Sequence, residues 1–227
     1  MKRSQINQIM QDADNFIRGR GFHLPPFAYW TPDQWRAKGT EATAITAHGL
    51  GWDITDFGMG DYNRYGLFLF TLRNGAPENL RSGKGKVYAE KIMVVGEGQI
   101  TPLHFHWIKT EDIINRGGGN LVIQLYNATN EEGLATTDVT VTTDDVARTV
   151  PAGGKVILQP GESITLEPYC YHAFWGADGP VLVGEVSTVN DDASDNRFYE
   201  PIGRFPQIEE DELPRHLLVG DYPTYRQ

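Results

Sequence analysis

Apolar positions Ile6, Ile9, Met10, Ala13, Phe16 and Ile17 recur at helical spacing, which predicts an amphipathic helix over about residues 4–18, ending in the glycines at 19 and 21. After the Pro25-Pro26 break, Thr31-Pro32-Asp33-Gln34 reads as an N-cap, a proline at the first helical position and a capping partner, with Gly39 as the stop. From about residue 41 the period changes to short strand-like runs punctuated by Gly, Asn, Asp and Pro, and it stays so to about residue 189. Strands are expected at 45–57, 65–72, 86–95, 99–107, 120–126, 139–142, 155–158, 163–166, 171–175 and 181–187. Tight turns at 150–154 and 159–162 favour antiparallel pairing, and the lack of long helices between strands argues against βαβ units. The expectation is an all-β sandwich or barrel with an N-terminal helical arm.

Beyond residue 189 the chain becomes charged and rich in proline and aromatic residues. Phe198, Tyr199, Ile202 and Phe205 are expected to anchor it on the barrel, and the run Glu209, Glu210, Asp211 and Glu212 to form a solvated face. The organisation read from this is one domain over 1–227, with an arm at 1–40, a barrel at 41–189 and a packed C-terminal segment at 190–227.

Charge and cysteine content narrow the function. Thirty acidic against 20 basic residues give a net charge of −10, which disfavours nucleic acid and highly phosphorylated ligands. A single cysteine, Cys170, excludes an intramolecular disulfide framework and fits a reducing, cytoplasmic location. The polar N-terminus has no apolar signal core and no run reaches membrane-spanning length, so no membrane partner is expected.

The chemistry concentrates between Gly98 and Gly118. His104 and His106 stand two apart, so on a strand both imidazoles leave one face, while Leu103, Phe105 and Trp107 leave the other. Glu111 lies at odd spacing and joins them only if a bulge or turn intervenes around Lys109 and Thr110. Imidazole and carboxylate together suit a divalent first-row metal; the competing reading is a strand with surface histidines. A fourth ligand is expected from elsewhere, and His172, on a strand-like run, is the best candidate. His23, His48 and His216 lack ligand spacing and read as packing or surface histidines.

Gly98-x5-His104-x-His106-x4-Glu111-x6-Gly118 resembles the first motif of the cupin superfamily, and the stretch from Gly161 to His172 has the spacing of the second. Glu167 stands where a proline is usual and Gly176 where an asparagine is frequent. The resemblance implies a jelly-roll β-barrel. Nearly the whole chain, including YAEKIMVVGEGQITPLHFHWIKTEDIINRGGGNLVIQLYN, EVSTVNDD and NRFYEPIGRFPQIEEDE, is similar to the bacterial D-lyxose isomerase family. That likeness implies conversion of D-lyxose to D-xylulose, often of D-mannose to D-fructose, with a divalent metal, commonly Mn2+, though Zn2+, Co2+, Ni2+ and Fe2+ suit the same donors.

Such chemistry moves a proton between C2 and C1 and stabilises charge on the carbonyl oxygen. Three His and one Glu leave an octahedral metal two positions for adjacent sugar oxygens of a cis-enediol arrangement. Glu185, a carboxylate in an apolar strand, is the leading candidate for the base, with a buried ion pair as its competing explanation. Lys109 is the candidate to steady the enediolate, against an exposed loop lysine. Asp192, Asp195, Arg204 and Glu210 are candidates for hydroxyl contacts, and Trp107, Tyr171 and Phe174 for an apolar wall. Two other functions share the fold: a metal-dependent oxygenase and a non-catalytic sugar-binding cupin. A homodimer is the expected assembly.

Overall fold

The structure is a computed structural model that describes residues 1–225; the last two residues of the expected C-terminal segment lie outside the described ones. Helix α1 (Arg3–Gly19) forms where the apolar period predicts it and buries Ile6, Met10, Ala13 and Ile17. Helix α2 (Pro32–Lys38) starts with the full capping box, Thr31 accepting from the Gln34 amide and Gln34 from the Thr31 amide.

Eleven strands follow: β1 (Gly51–Thr55), β2 (Leu67–Arg73), β3 (Tyr88–Val95), β4 (Thr101–Phe105), β5 (Glu111–Asn127), β6 (Val139–Thr143), β7 (Val146–Val150), β8 (Lys155–Leu158), β9 (Ser163–Leu166), β10 (Cys170–Thr188) and β11 (Arg197–Phe198). Every ladder between them is antiparallel. The hydrogen-bonded order is β1-β2-β3-β10-β5-β9-β6-β7, with β4 and β8 added on the far halves of β10 and β5. The path does not return on itself, so the expected barrel is a jelly roll with open edges.

Strands β5 and β10 carry the architecture. Residues 181–187 of β10 pair with 111–118 of β5, and residues 170–177 pair with 120–127. One long ribbon therefore belongs to both halves of the fold. The apolar pattern predicts two strands where β10 runs, divided at 176–180; the structure bends a single strand there instead, with Asp178 at φ 60 and Gly179 at φ 114. Gly118 meets this bend at φ 108, and a Cβ on it would lie 2.2 Å from the Pro180 carbonyl oxygen, so no side chain fits.

Two apolar layers flank the sheet. Leu67, Leu69, Met93, Val95, Ile113, Ile123, Phe174 and Val183 fill the inside. The alternate residues of the same strands, Phe68, Phe70, Ile92 and Leu182, face outward and are covered by α1. That second cover explains why β2 reads as a continuous apolar run rather than an alternating one. Phe198 and Ile202 pack on the inner layer as expected, whereas Tyr199 and Phe205 remain 41% and 55% exposed.

Other expectations shift. The strand expected at 45–57 shrinks to β1, because a helical turn, α3 (Thr43–Ala47), and the positive-φ Gly49 precede it. The turns at 150–154 and 159–162 do not close hairpins, since β8 and β9 both pair with β5. Strand β7 and the short helix α4 (Pro77–Ser82) were not expected from the pattern; β7 is almost wholly exposed and so carries no buried-face period.

A candidate metal centre in a charged cavity

Sheet register brings the two histidine motifs together. His104 on β4 is the cross-strand partner of His172 on β10. The chain leaves β4 after Phe105, turns through 106–110 and re-enters as β5 at Glu111, which is the break the odd spacing requires. Asp195 shapes that turn: its Oδ1 accepts from the amides of Trp107 (2.8 Å) and Ile108 (3.1 Å), and its Oδ2 from Lys109 (3.0 Å).

Ligand atoms of His104, His106 and His172 lie within 4.8 Å of one another, and all three residues are buried. Each Nδ1 meets a backbone carbonyl: Pro102 at 2.7 Å, Asp195 at 2.5 Å and Cys170 at 3.0 Å. A carbonyl only accepts, so each Nδ1 carries the proton and each Nε2 keeps its lone pair. Glu111 Oε1 sits 3.1 Å from His172 Nε2 and 3.4 Å from His106 Nε2. His106 Nε2, His172 Nε2 and Glu111 Oε1 are all buried without hydrogen-bond partners. Buried polar atoms are rarely left so, and orphaned lone pairs pointing at one spot fit a divalent cation. The expected set of His104, His106, Glu111 and His172 is thus assembled in one place.

Electrostatics support that use. Burial, then the neighbouring His172 and His106, push the His104 pKa well below the ordinary imidazole value, which keeps it neutral. Burial alone would raise the Glu111 pKa, but the Lys109 ammonium outweighs it and the carboxyl lies well below its usual range. Lys109 Nζ lies 2.6 Å from Glu111 Oε2, leaving Oε1 for the centre.

The same lysine reaches Glu185 Oε1 at 3.1 Å, and Lys91 reaches that oxygen at 3.3 Å. Lys91 also holds Asp192 at 3.2 Å and Asn190 at 2.6 Å, while Arg204 pairs with Asp53 at 2.7 Å and lies 3.6 Å from Asp192. Burial works against the charge on Lys109, yet Glu111, Glu185 and Asp192 overcome it and keep the ammonium above its ordinary pKa. Burial likewise opposes ionisation of Asp192, but Lys91, Arg204 and Lys109 hold it well below the usual carboxylate range.

The four candidate ligands and Lys91 line one cavity. Glu185, Lys109, Phe174, Asp192 and Arg204 all line it. Glu185 is both a buried ion-pair partner and part of the cavity wall.

Four expected contacts fall elsewhere. Trp107 and Tyr171 alternate with the inward histidines, so they face the other side of the sheet with Phe105; the Trp107 indole donates to Glu132 and the Tyr171 hydroxyl to the Glu132 carbonyl. Glu210 lies at the far end of α1 in a paired contact with Arg3, and Asp211 and Glu212 bind Ser4 and Asn7 there. Asp195 serves the turn rather than the cavity. Lys91, Thr101 and Asn196 line the cavity and were not expected. Lys91 was findable: it is the one charge among the inward positions Ala89, Lys91, Met93 and Val95 of β3.

A jelly roll that gathers three histidines and a glutamate from these two motifs is a cupin-type protein with a candidate metal centre. Solved structures agree on the fold: L-ribose isomerase from Acinetobacter sp. DL28 in complex with L-ribose superposes with a TM-score of 0.60 at 15% identity over 91% of this chain and 98% of that one. L-ribose isomerase from Cellulomonas parahominis with L-ribose gives 0.57 at 20% identity, over 92% of this chain and 98% of that one. Sequence decides the family. The D-lyxose isomerase family model matches residues 1–222, and this chain is 53% identical over 225 residues, 98% of both chains, to D-lyxose/D-mannose isomerase of Serratia proteamaculans. Identity to the D-lyxose/D-mannose isomerase of Escherichia coli O157:H7 is 48% over 229 residues, the full length of both. The chain belongs to the D-lyxose isomerase family. Among the described residues no helix is long and apolar enough to cross a membrane.

Proposed function

We propose that the protein is a metal-dependent aldose–ketose isomerase of free sugars, converting D-lyxose to D-xylulose and D-mannose to D-fructose through a cis-enediol. The observation that carries this reading is the meeting of two features in one cavity: the orphaned lone pairs of His106, His172 and Glu111, and the buried Glu185 carboxylate beside them, held by Lys109 and Lys91. Membership of the family supports the substrate assignment.

His104, His106, Glu111 and His172 are the proposed ligands, with Mn2+ the proposed ion. A divalent metal held by these residues would supply Lewis-acid polarisation of the sugar carbonyl. Glu185 takes the proton from C2 of the open-chain aldose and returns it to C1, while the hydroxyl proton of O2 passes to O1, so no proton is lost overall. Two lysines keep the Glu185 carboxylate beside positive charge through the cycle. Lys109, held charged, steadies negative charge as it grows on the adjacent oxygen. Arg204 Nη1 is buried without a partner in the cavity lining; with Asp192 it is proposed to bind sugar hydroxyls, and Phe174 to press on the sugar's carbon face. A cytoplasmic homodimer completes the proposal.

Glu185→Gln tests the assignment. The amide keeps the volume but cannot accept the proton, so turnover should fall about 100- to 10,000-fold while metal content stays at the wild-type level. Turnover within a few-fold of wild type would remove Glu185 as the base. A wild-type enzyme that isomerises none of a panel of pentoses and hexoses, after loading with single divalent ions under anaerobic conditions, would remove the isomerase reading itself.

A further inference from the structure

Thr101 is 2% exposed, its hydroxyl oxygen has no hydrogen-bond partner, and it lines the cavity. Its cross-strand partner Phe174 lines the same cavity and offers no polar atom. A buried hydroxyl without a partner costs stability that a Val of the same shape would not.

The backbone is shaped to put it there. Phe174 and His172 are two apart on β10, but their partners Thr101 and His104 are three apart on β4, so β4 carries one extra residue, around Pro102. On an unbroken strand, residues three apart leave opposite faces. The bulge turns Thr101 onto the face that His104 occupies, and bulges beside active sites re-aim side chains in this way. On β10 the step from His172 to Phe174 is about 6.6 Å of strand rise, so Thr101 sits one rung along the cavity from the cluster. That is roughly the reach from the reacting carbons of an open-chain sugar to its other end.

The geometry points to Thr101 as a specificity-determining residue: its hydroxyl exchanges a hydrogen bond with a hydroxyl of the distal half of the sugar, at C4 or C5. The inference rests on the isomerase reading and deepens it. D-lyxose and D-mannose have the same configuration from C2 to C4, so one contact at C4 serves both, whereas a contact at C5 meets a primary alcohol in one and a secondary alcohol in the other.

The test measures kcat and KM of wild type, Thr101→Val and Thr101→Ser with D-lyxose, D-mannose and the 4-deoxy and 5-deoxy forms of D-lyxose, together with metal content and melting temperature. Thr101→Val should keep its metal and melt no lower than wild type, yet lose about tenfold in kcat/KM on D-lyxose. Thr101→Ser, which keeps the hydroxyl, should stay within a few-fold. Wild type should itself disfavour one deoxy sugar by about tenfold, and on that sugar Thr101→Val should equal wild type, because the pair under test is already broken. Equal kcat/KM of Thr101→Val and wild type on D-lyxose would overturn the proposal and leave a hydroxyl that only water or the fold uses, with the isomerase reading intact. If Thr101→Val fails to fold, the wild-type comparison decides: no discrimination against either deoxy sugar overturns the proposal. Absence of wild-type turnover on every sugar sinks both readings.

Discussion

Asp195 offers a way to disturb the centre without touching any ligand side chain. Its carboxylate accepts from three consecutive amides, those of Trp107, Ile108 and Lys109, and its backbone carbonyl accepts from His106 Nδ1–H. In Asp195→Ala the Lys109 amide is left buried with no acceptor, a cost of about 1–3 kcal/mol, while the Trp107 and Ile108 amides are part-buried and recover some of their loss from water. The sum is about 3 kcal/mol. For a chain of this length each kcal/mol moves the melting temperature by about 2–4 °C, so a fall of about 6–12 °C is expected by calorimetry. The loosened turn also carries His106 and Glu111 on either side of it, so metal affinity should drop about 10- to 100-fold, as for other supports of metal ligands. Asp195→Asn should lie between, because its oxygen still serves two amides while its NH2 opposes the third. A melting temperature within about 2 °C of wild type with metal affinity within about twofold would refute the argument that this carboxylate organises the turn.

A chelator should lower the melting temperature and readdition of a divalent cation restore it, since an ion held by these residues would occupy a site that the unfolded chain lacks; an unchanged melting curve would count against a bound cation. Asp192 ionises below its ordinary range in the fold, so its contribution is fully present above the unfolded carboxylate pKa of about 3.9 and is lost as pH falls from there through the folded value. Urea midpoints should accordingly fall between about pH 5 and pH 3, and Asp192→Asn should flatten that limb. Arg3 is fully buried between Glu210 and Asp221; Arg3→Met strands the nearly buried Asp221 and should cost about 3 kcal/mol in denaturant titration with kcat unchanged. A change below about 1 kcal/mol would show the cluster to be replaceable.

Local pattern was enough for much of this protein. The period of α1, the capping box of α2, and the alternation that sends His104 and His106 to one face while Trp107 leaves the other depend on neighbours within a few residues. The turn between His106 and Glu111 followed from their odd spacing for the same reason. Resemblance to the cupin motifs added the jelly roll and gave His172 the spacing of a second motif, and likeness across the chain added the sugar. What neighbours along the chain cannot encode is partnership across it. Lys109 and Glu185 are 76 residues apart in sequence, and only the pairing of β10 with β5 places them 3.1 Å apart. Glu210 and Arg204 looked equivalent as polar residues of the C-terminal segment; packing sent one to α1 and the other into the cavity. Trp107 was expected in an apolar wall of the cavity, though strand alternation already points it away. Thr101 required the structure outright, because a bulge of one residue, visible only against the register of the partner strand, decides which face its hydroxyl occupies. Side-chain direction is local wherever the backbone is regular, and it becomes a tertiary property where two strands disagree in length.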